Sequence, residues 1–207
     1  MRNDSYGVTL LTFRMGESEN NLVRETLLFL TEEAQKLEMN EFLLIGGNAV
    51  IAYGVPRFTR DVDFVIPERV KNVWRSFLED LGFQLIHGTQ AFLQFEDQEN
   101  SKPRVDLMVV DENTWEKLNA RAYVLELGES ISAEVAAPDH IIAMKLAACQ
   151  SPHRRSDAID WSDVVELTIR RGFDPENDQE FSDLVLRYGG ELLLGKLVDE
   201  INSRKES

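Results

Sequence analysis

Residues 42–67 constrain the fold more than any other part of the chain. The segment begins with an apolar run, Phe42–Ile45, which ends at Gly46-Gly47, and it closes with the alternating run Asp61–Ile66. A short apolar run before two glycines predicts a buried strand that enters a tight turn, and alternation with Val and Phe predicts a second strand. A short helix over residues 49–53 is predicted between them. The segment therefore predicts two strands connected through a helix.

The remaining sequence divides into a mixed part and a purely helical part. Apolar side chains at helical spacing predict helices over residues 20–38 and 68–81. Strands are predicted over 91–96, 104–110, 123–127 and 131–135, and after Pro138 the predicted helices are 138–149, 157–170, 178–188 and 190–202. We therefore expect an α+β fold, in which a mixed β-sheet flanked by helices over residues 1–137 is followed by a C-terminal helical bundle over 138–207.

Composition excludes several classes of protein. The 207 residues are 43% hydrophobic and 29% charged, which excludes a disordered or collagen-like chain. No apolar stretch approaches the roughly 18 residues that a membrane-spanning helix needs, so no membrane partner is expected. The first residues do not have the pattern of a secretory signal, and the single cysteine, Cys149, excludes an intramolecular disulfide and a multi-cysteine metal site. These features predict a cytoplasmic protein.

A formal net charge of −15 opposes broad electrostatic attraction to nucleic acid. An RNA substrate would need a local basic patch. The candidate patch is His153-Arg154-Arg155, extended by Lys145 and by Arg170-Arg171. The alternative for these residues is ordinary solvated charge.

Three aspartates predict a metal site. Asp61 and Asp63 are two residues apart on a predicted strand, so both side chains project from one face, between neighbours whose apolar character predicts burial. Two adjacent carboxylates are costly to bury without a cation, and carboxylate oxygens suit Mg²⁺. Asp106 lies on another predicted strand, and if the two strands are neighbours all three carboxylates converge on one or two Mg²⁺ ions. Asp106 would then deprotonate or position an acceptor hydroxyl.

The glycine turn predicts an anion site upstream of these aspartates. Gly46 and Gly47 allow backbone amides to approach an anion closely at the start of a helix. Arg57 is a candidate phosphate or acceptor ligand. Thr59 is a second candidate ligand of the bound nucleotide, and the alternative is a purely local role as a hydrogen-bond partner of the turn backbone.

In this order the residues resemble the nucleotidyltransferase superfamily related to DNA polymerase β, and within it the AbiEii/AbiGii-type toxins and minimal nucleotidyltransferases. The resemblance covers about residues 40–165. The matching positions are Gly46-Gly47, Ala49, Gly54, the run Arg57-Phe58-Thr59-Arg60-Asp61-Val62-Asp63 and Asp106, with looser similarity over 141–148 and 155–160. Asn48 departs from the pattern, because a small hydroxyl residue commonly follows the glycines; its amide can still donate to a phosphate oxygen or cap the helix.

The resemblance implies an activity and its components. The Gly-Gly turn would bind the triphosphate of an NTP substrate, and the three aspartates would hold Mg²⁺ while a nucleoside monophosphate is transferred to a hydroxyl with loss of pyrophosphate. It also implies functional roles for the downstream lysine, Lys145, and for the acid-rich motif with Asp157 and Asp160. For Lys145 the alternative is a lysine that snorkels to water, and for the two acids a solvated helix face.

Three classes of function stay open at this point. The first is an enzyme with a tRNA 3′ end or a partner protein as acceptor, acting as a toxin with a cognate antitoxin. The second is a binding module that keeps the fold without the reaction. The third is an enzyme that modifies a small molecule, which would need an open acceptor cleft.

Overall fold

The computed structural model describes residues 17–127, 131–150 and 157–205, with side chains from residue 21 onward except that of Asp157. The chain divides into two compact units, Met1–Ala136 and Ala137–Ser207. Among the described residues, no helix is both long and apolar enough to cross a membrane.

The first unit contains both helices and strands. Its helices are α1 (Glu17–Lys36), α2 (Gly46–Ala52), α3 (Lys71–Asp80) and α4 (Glu112–Asn119), and its strands are β1 (Leu43–Leu44), β2 (Asp61–Pro67), β3 (Phe83–Gly88), β4 (Phe92–Asp97), β5 (Arg104–Val110), β6 (Tyr123–Glu126) and β7 (Ser132–Val135). The described strands form one mixed sheet in the order β3-β4-β5-β2-β1-β7-β6. The predicted mixed sheet flanked by helices is confirmed.

The centre of this sheet positions the aspartates. β2 runs parallel to β5 and antiparallel to β1, and β5 runs antiparallel to β4. Parallel pairing requires a long crossover, and the segment containing α3, β3 and β4 supplies it. Asp63 and Asp106 therefore lie on neighbouring strands, as the sequence-based expectation of their convergence requires.

One face of β2 is covered by α3. Phe64 is fully buried and contacts the Trp74 ring of α3 at a centroid distance of 5.4 Å, while Phe42 packs edge-on against both rings. Each such aromatic pair contributes about 0.5–1.5 kcal/mol beyond the area it buries. Because successive strand residues point to opposite faces, anchoring Phe64 to α3 directs the side chains of Asp61 and Asp63 to the other face.

Two elements of the first unit were not predicted from sequence. β3 pairs antiparallel with β4 at the sheet edge, with a register shift between Leu85 and His87, and its exposed residues do not alternate cleanly. α4 begins at the cap Asp111, whose side chain accepts a hydrogen bond from the Thr114 backbone amide. That capping aspartate before an amphipathic stretch was a usable sequence signal.

The second unit is helical, as predicted. It contains α5 (Pro138–Cys149), α6 (Asp157–Arg171) and α7 (Gln179–Lys205), and both α6 and α7 pack against α5. The two helices predicted over 178–188 and 190–202 form the single element α7, which is kinked at Gly190, where φ is 72° and ψ is 175°. The predicted basic patch His153-Arg154-Arg155 lies outside the described residues.

Candidate active site

Asp63 and Asp106 lie directly opposite each other on the parallel strands β2 and β5. Asp61 is opposite Arg104 in the same register, two residues earlier. Residues paired in a parallel ladder point to the same face, and neighbouring strands are about 4.8 Å apart. The structure therefore brings Asp61, Asp63 and Asp106 onto one face of the sheet centre, where all three are half-buried.

Gly46 lies against the carboxylate of Asp63. A Cβ atom at Gly46 would be 2.1 Å from Asp63 Oδ2, and the Gly46 φ of +63° is in the left-handed region. Both facts require glycine here. The start of α2 and the Asp63 carboxylate are therefore in direct contact, with no space for a side chain at position 46.

Gly47 allows a second close approach. A Cβ atom there would be 2.4 Å from Thr59 Oγ1 and 3.2 Å from Arg57 Nη2. The Arg57 guanidinium, whose Nε donates to the Phe58 carbonyl at 3.0 Å, therefore lies beside the first turn of α2. Ile45, the N-cap of α2, supplies no side-chain hydrogen bond to that turn. A guanidinium next to helix amides without a side-chain cap is a favourable environment for a phosphate.

Asn48 and Thr59 support the backbone of Asp61. Asn48 Nδ2 donates to the Asp61 carbonyl at 2.9 Å, and Thr59 Oγ1 lies 3.5 Å from the same oxygen. Both side chains are buried. The expectation that Asn48 caps α2 is wrong, because the N-cap is Ile45 and Asn48 lies inside the first turn. Its side chain instead connects α2 to the start of β2.

Burial raises the pKa of Asp61 above its ordinary value, and the positive charges of Arg104 and Arg60 oppose this shift without cancelling it. Arg60 itself lies over the exposed Phe58 ring, with its guanidinium carbon 5.6 Å from the ring centroid. The ionised form of Asp61 is thus destabilised in the folded chain. A cation bound at this face would stabilise the ionised form of Asp61.

Gln94 is a neighbour of the site that sequence reasoning missed. It lies on β4 directly opposite Asp106, and its Nε2 donates to Asp106 Oδ1 at 3.0 Å. The signal was present in the predicted strand 91–96, where Gln94 is a polar side chain between the buried residues Leu93 and Phe95. Strand order, which the sequence does not reveal, was needed to place it beside Asp106.

In the second unit, Lys145 of α5 binds two carboxylates of α6. Its Nζ is 2.7 Å from Asp160 Oδ1 and 2.9 Å from Asp163 Oδ2, and all three side chains are nearly inaccessible to solvent. Asp160 was a candidate functional residue with a solvated helix face as its alternative, and the structure buries it against Lys145; Asp163 was missed although it lies three residues further on the same helix. The side chain of Asp157 lies outside the described residues.

The donor chemistry of the β2–β5 face fits Mg²⁺. In the part of the chain that the structure describes, no three His, Cys, Asp or Glu side chains already converge as a complete ligand set. Mg²⁺ does not require one, since it commonly binds through one or two carboxylates and takes its remaining ligands from water and substrate phosphates. Asp61 and Asp63 supply such a pair beside the phosphate-compatible start of α2.

Comparison with known proteins agrees with this geometry. Residues 28–199 match the family model described as a nucleotidyl transferase AbiEii toxin of a type IV toxin–antitoxin system. No curated protein sequence matches the chain.

Solved structures with a similar fold include the following two. One is an antigenic nucleotidyltransferase-like protein from Paracoccidioides brasiliensis, with 14% identity, a TM-score of 0.53, and coverage of 87% of this chain and 94% of that one. The other is a lincosamide antibiotic adenylyltransferase with lincomycin bound, with 15% identity, a TM-score of 0.50, and coverage of 70% and 98%. The family match extends over most of the sequence, and the chain belongs to the AbiEii nucleotidyltransferase toxin family.

Proposed function

We propose that this nucleotidyltransferase moves a nucleoside monophosphate from an NTP to a hydroxyl of a nucleic acid, with Mg²⁺ as cofactor and pyrophosphate as leaving group. The observation that carries the proposal is the register of Asp63 opposite Asp106, with the start of α2 against Asp63. It brings a carboxylate pair, a third carboxylate and a phosphate-compatible turn to one face of the sheet. The proposed catalytic core is residues 1–137, and 138–207 form an accessory helical region.

The triphosphate would bind at the first turn of α2. The amides of Gly46 and Gly47 and the guanidinium of Arg57 would hold its oxygens, because both groups favour anions. Asn48 and Thr59, which contact the Asp61 carbonyl, would keep this turn in place relative to β2.

Asp61 and Asp63 would hold the metal, and Asp106 would complete the site. Mg²⁺ supplies neutralisation of the charge that develops on the phosphate oxygens. Asp106 accepts or positions the proton of the acceptor hydroxyl. The acceptor oxygen forms a bond to the α-phosphorus, the bond from that phosphorus to the bridging oxygen breaks, and pyrophosphate leaves.

Lys145 remains a proposed functional residue, with Asp160 and Asp157 as its proposed support. Asp160 and Asp163, whose carboxylates lie within 3 Å of Lys145 Nζ, fix the position of the ammonium group. Because this ammonium already has two carboxylate partners, the functional role of Lys145 is proposed from the family resemblance.

The proposed acceptor is a tRNA 3′ end, because the family is one of toxins and a blocked tRNA end would stop translation. With this acceptor we expect the reaction to take place in the cytoplasm and the chain to have a cognate antitoxin as its partner. A partner protein or a small molecule is the alternative acceptor that the test below distinguishes.

The test uses each of the four α-³²P-labelled NTPs with Mg²⁺, in separate reactions with total tRNA and with a nuclease-treated cell extract that supplies proteins and small molecules as acceptors. We expect label in RNA from the wild type and none from Asp61→Asn/Asp63→Asn. Asp80→Asn, which changes an exposed carboxylate at the end of α3, is the matched control and should transfer as the wild type does. Label on protein would identify a protein acceptor, and no NTP consumption with any of these acceptors would contradict the proposal.

A further inference from the structure

We propose that Gln94 is a positioning residue for Asp106: its amide fixes one carboxylate oxygen and thereby directs the other toward the metal and the acceptor hydroxyl. The inference rests on the proposed function, because it assigns Gln94 a role in the same site. Gln94 is not among the motif positions on which the family resemblance rests, although it lies within the range that the family model matches.

The sheet holds the two side chains next to each other. Gln94 is opposite Asp106 across the antiparallel β4–β5 pair, and Asp106 is opposite Asp63 across the parallel β5–β2 pair. The three residues form a row across adjacent strands. Directly opposed residues have Cβ atoms about 5 Å apart, a separation set by the backbone ladder rather than by the side chains themselves.

The hydrogen bond has a defined direction. Nε2 of Gln94 donates to Oδ1 of Asp106 at 3.0 Å, and both side chains are half-buried. A carboxylate that accepts a fixed hydrogen bond at one oxygen has a preferred rotation about its terminal torsion, which is otherwise broad. Oδ2 is then presented in one orientation.

The chemistry of an amide suits this role better than that of a cation. A lysine or arginine at position 94 would also orient Asp106, but its charge would compete with a metal ion for the carboxylate. An amide donates a hydrogen bond and leaves the net negative charge in place. The neighbouring strand position shows the contrast, since Glu96 binds the cation Arg104 at 3.1 Å two residues along the same pair of strands.

The expected size of the effect is taken from other metal sites. Removing a residue that hydrogen-bonds a metal ligand, without itself contacting the metal, lowers metal affinity or activity about 10–100-fold. We therefore expect Gln94→Met, which keeps the length of the side chain and removes the donor, to lower kcat about 10–100-fold, with a smaller change in the KM for NTP. Gln94→Asn, which retains a shorter amide, should recover part of the loss.

A double-mutant cycle in which Mn²⁺ affinity is measured tests the inference without relying on enzyme activity. Mn²⁺ is titrated, with detection by electron paramagnetic resonance, in the presence of a non-hydrolysable NTP analogue. Gln94→Met should weaken Mn²⁺ binding about tenfold in the wild-type background and have no further effect in an Asp106→Asn background. Gln84→Met, an exposed glutamine on β3, is the matched control and should bind as the wild type does.

Two results would overturn the inference. One is an equal loss of Mn²⁺ affinity from Gln94→Met in both backgrounds, because Gln94 would then act without Asp106. The other is unchanged affinity and unchanged kcat in Gln94→Met when the wild type binds Mn²⁺ with the analogue. Absence of Mn²⁺ and nucleotide binding by the wild type would instead contradict the proposed function itself.

Discussion

Two groups of aspartates in this protein differ in how their charge is balanced. On α6, Asp160 and Asp163 share the ammonium of Lys145 at 2.7 and 2.9 Å, so a cation of the chain itself compensates the buried carboxylates. On β2, burial raises the pKa of Asp61 despite the opposing charges of Arg104 and Arg60. The first arrangement is complete within the chain, whereas the second leaves a carboxylate whose charged form a bound cation would stabilise. The difference favours the β2–β5 face as the location of the proposed Mg²⁺.

The largest expected effect comes from removing the cation of the first group. Lys145→Met would leave Asp160 and Asp163 buried without their ammonium, which costs about 3–5 kcal/mol of the free energy of unfolding. Urea unfolding followed by circular dichroism measures the loss. The triple variant Lys145→Met/Asp160→Asn/Asp163→Asn is the control and should recover much of the stability. A Lys145→Met protein that is stable but inactive would break the comparison and favour the direct catalytic role.

The second largest effect is on activity. Asp63→Asn keeps the shape of the side chain and removes the charge, so we expect nucleotidyl transfer to fall about 100–1,000-fold while the folded state is retained. Initial rates with labelled NTP measure the loss, and Asp80→Asn again serves as the control. A rate within a few-fold of the wild type would show that the β2 carboxylates are not the reaction site.

Gly46→Ala should have an intermediate effect on both properties. The new Cβ would be placed 2.1 Å from Asp63 Oδ2 at a φ of +63°, so the carboxylate must move and the backbone is strained. We expect a loss of stability of about 1–2 kcal/mol from the left-handed backbone, and a loss of activity in addition. Gly82→Ala separates the two effects, because Gly82 has a φ of +88° with no atom within 4 Å of an added Cβ. Equal activity in the two variants would contradict a role for the Gly46–Asp63 contact.

The smallest effect is a pH dependence of stability. Because the folded protein binds the Asp61 proton more tightly than the unfolded chain does, Asp61 destabilises the fold increasingly as the pH rises from below 3.8 through its raised pKa. Asp61→Asn removes this pH-dependent destabilisation. The variant should therefore gain stability relative to the wild type across that pH range and keep the gain at neutral pH. Urea unfolding at several pH values measures it, and a difference that does not vary with pH would contradict the burial argument.

The sequence predicted the strand positions of the three aspartates better than their surroundings. Asp61 and Asp63 were placed on one strand face by alternation alone, and Asp106 on a second strand, because each carboxylate interrupts an apolar pattern with a period of two. Their adjacency depended on strand order, which is a long-range property. For the same reason Gln94 was missed: only the β4–β5 register brings it to Asp106. Asn48 was misjudged because its partner, the Asp61 carbonyl, lies 13 residues away in sequence.

The most direct test of the central claim is a calorimetric titration of Mg²⁺ in the presence of a non-hydrolysable NTP analogue. The wild type, Asp61→Asn/Asp63→Asn and Asp163→Asn are compared. We predict that the wild type and Asp163→Asn bind Mg²⁺ with similar affinity and that the β2 double variant does not bind it. Undiminished binding in the double variant, or loss of binding only in Asp163→Asn, would contradict the assignment of the metal to the β2–β5 face.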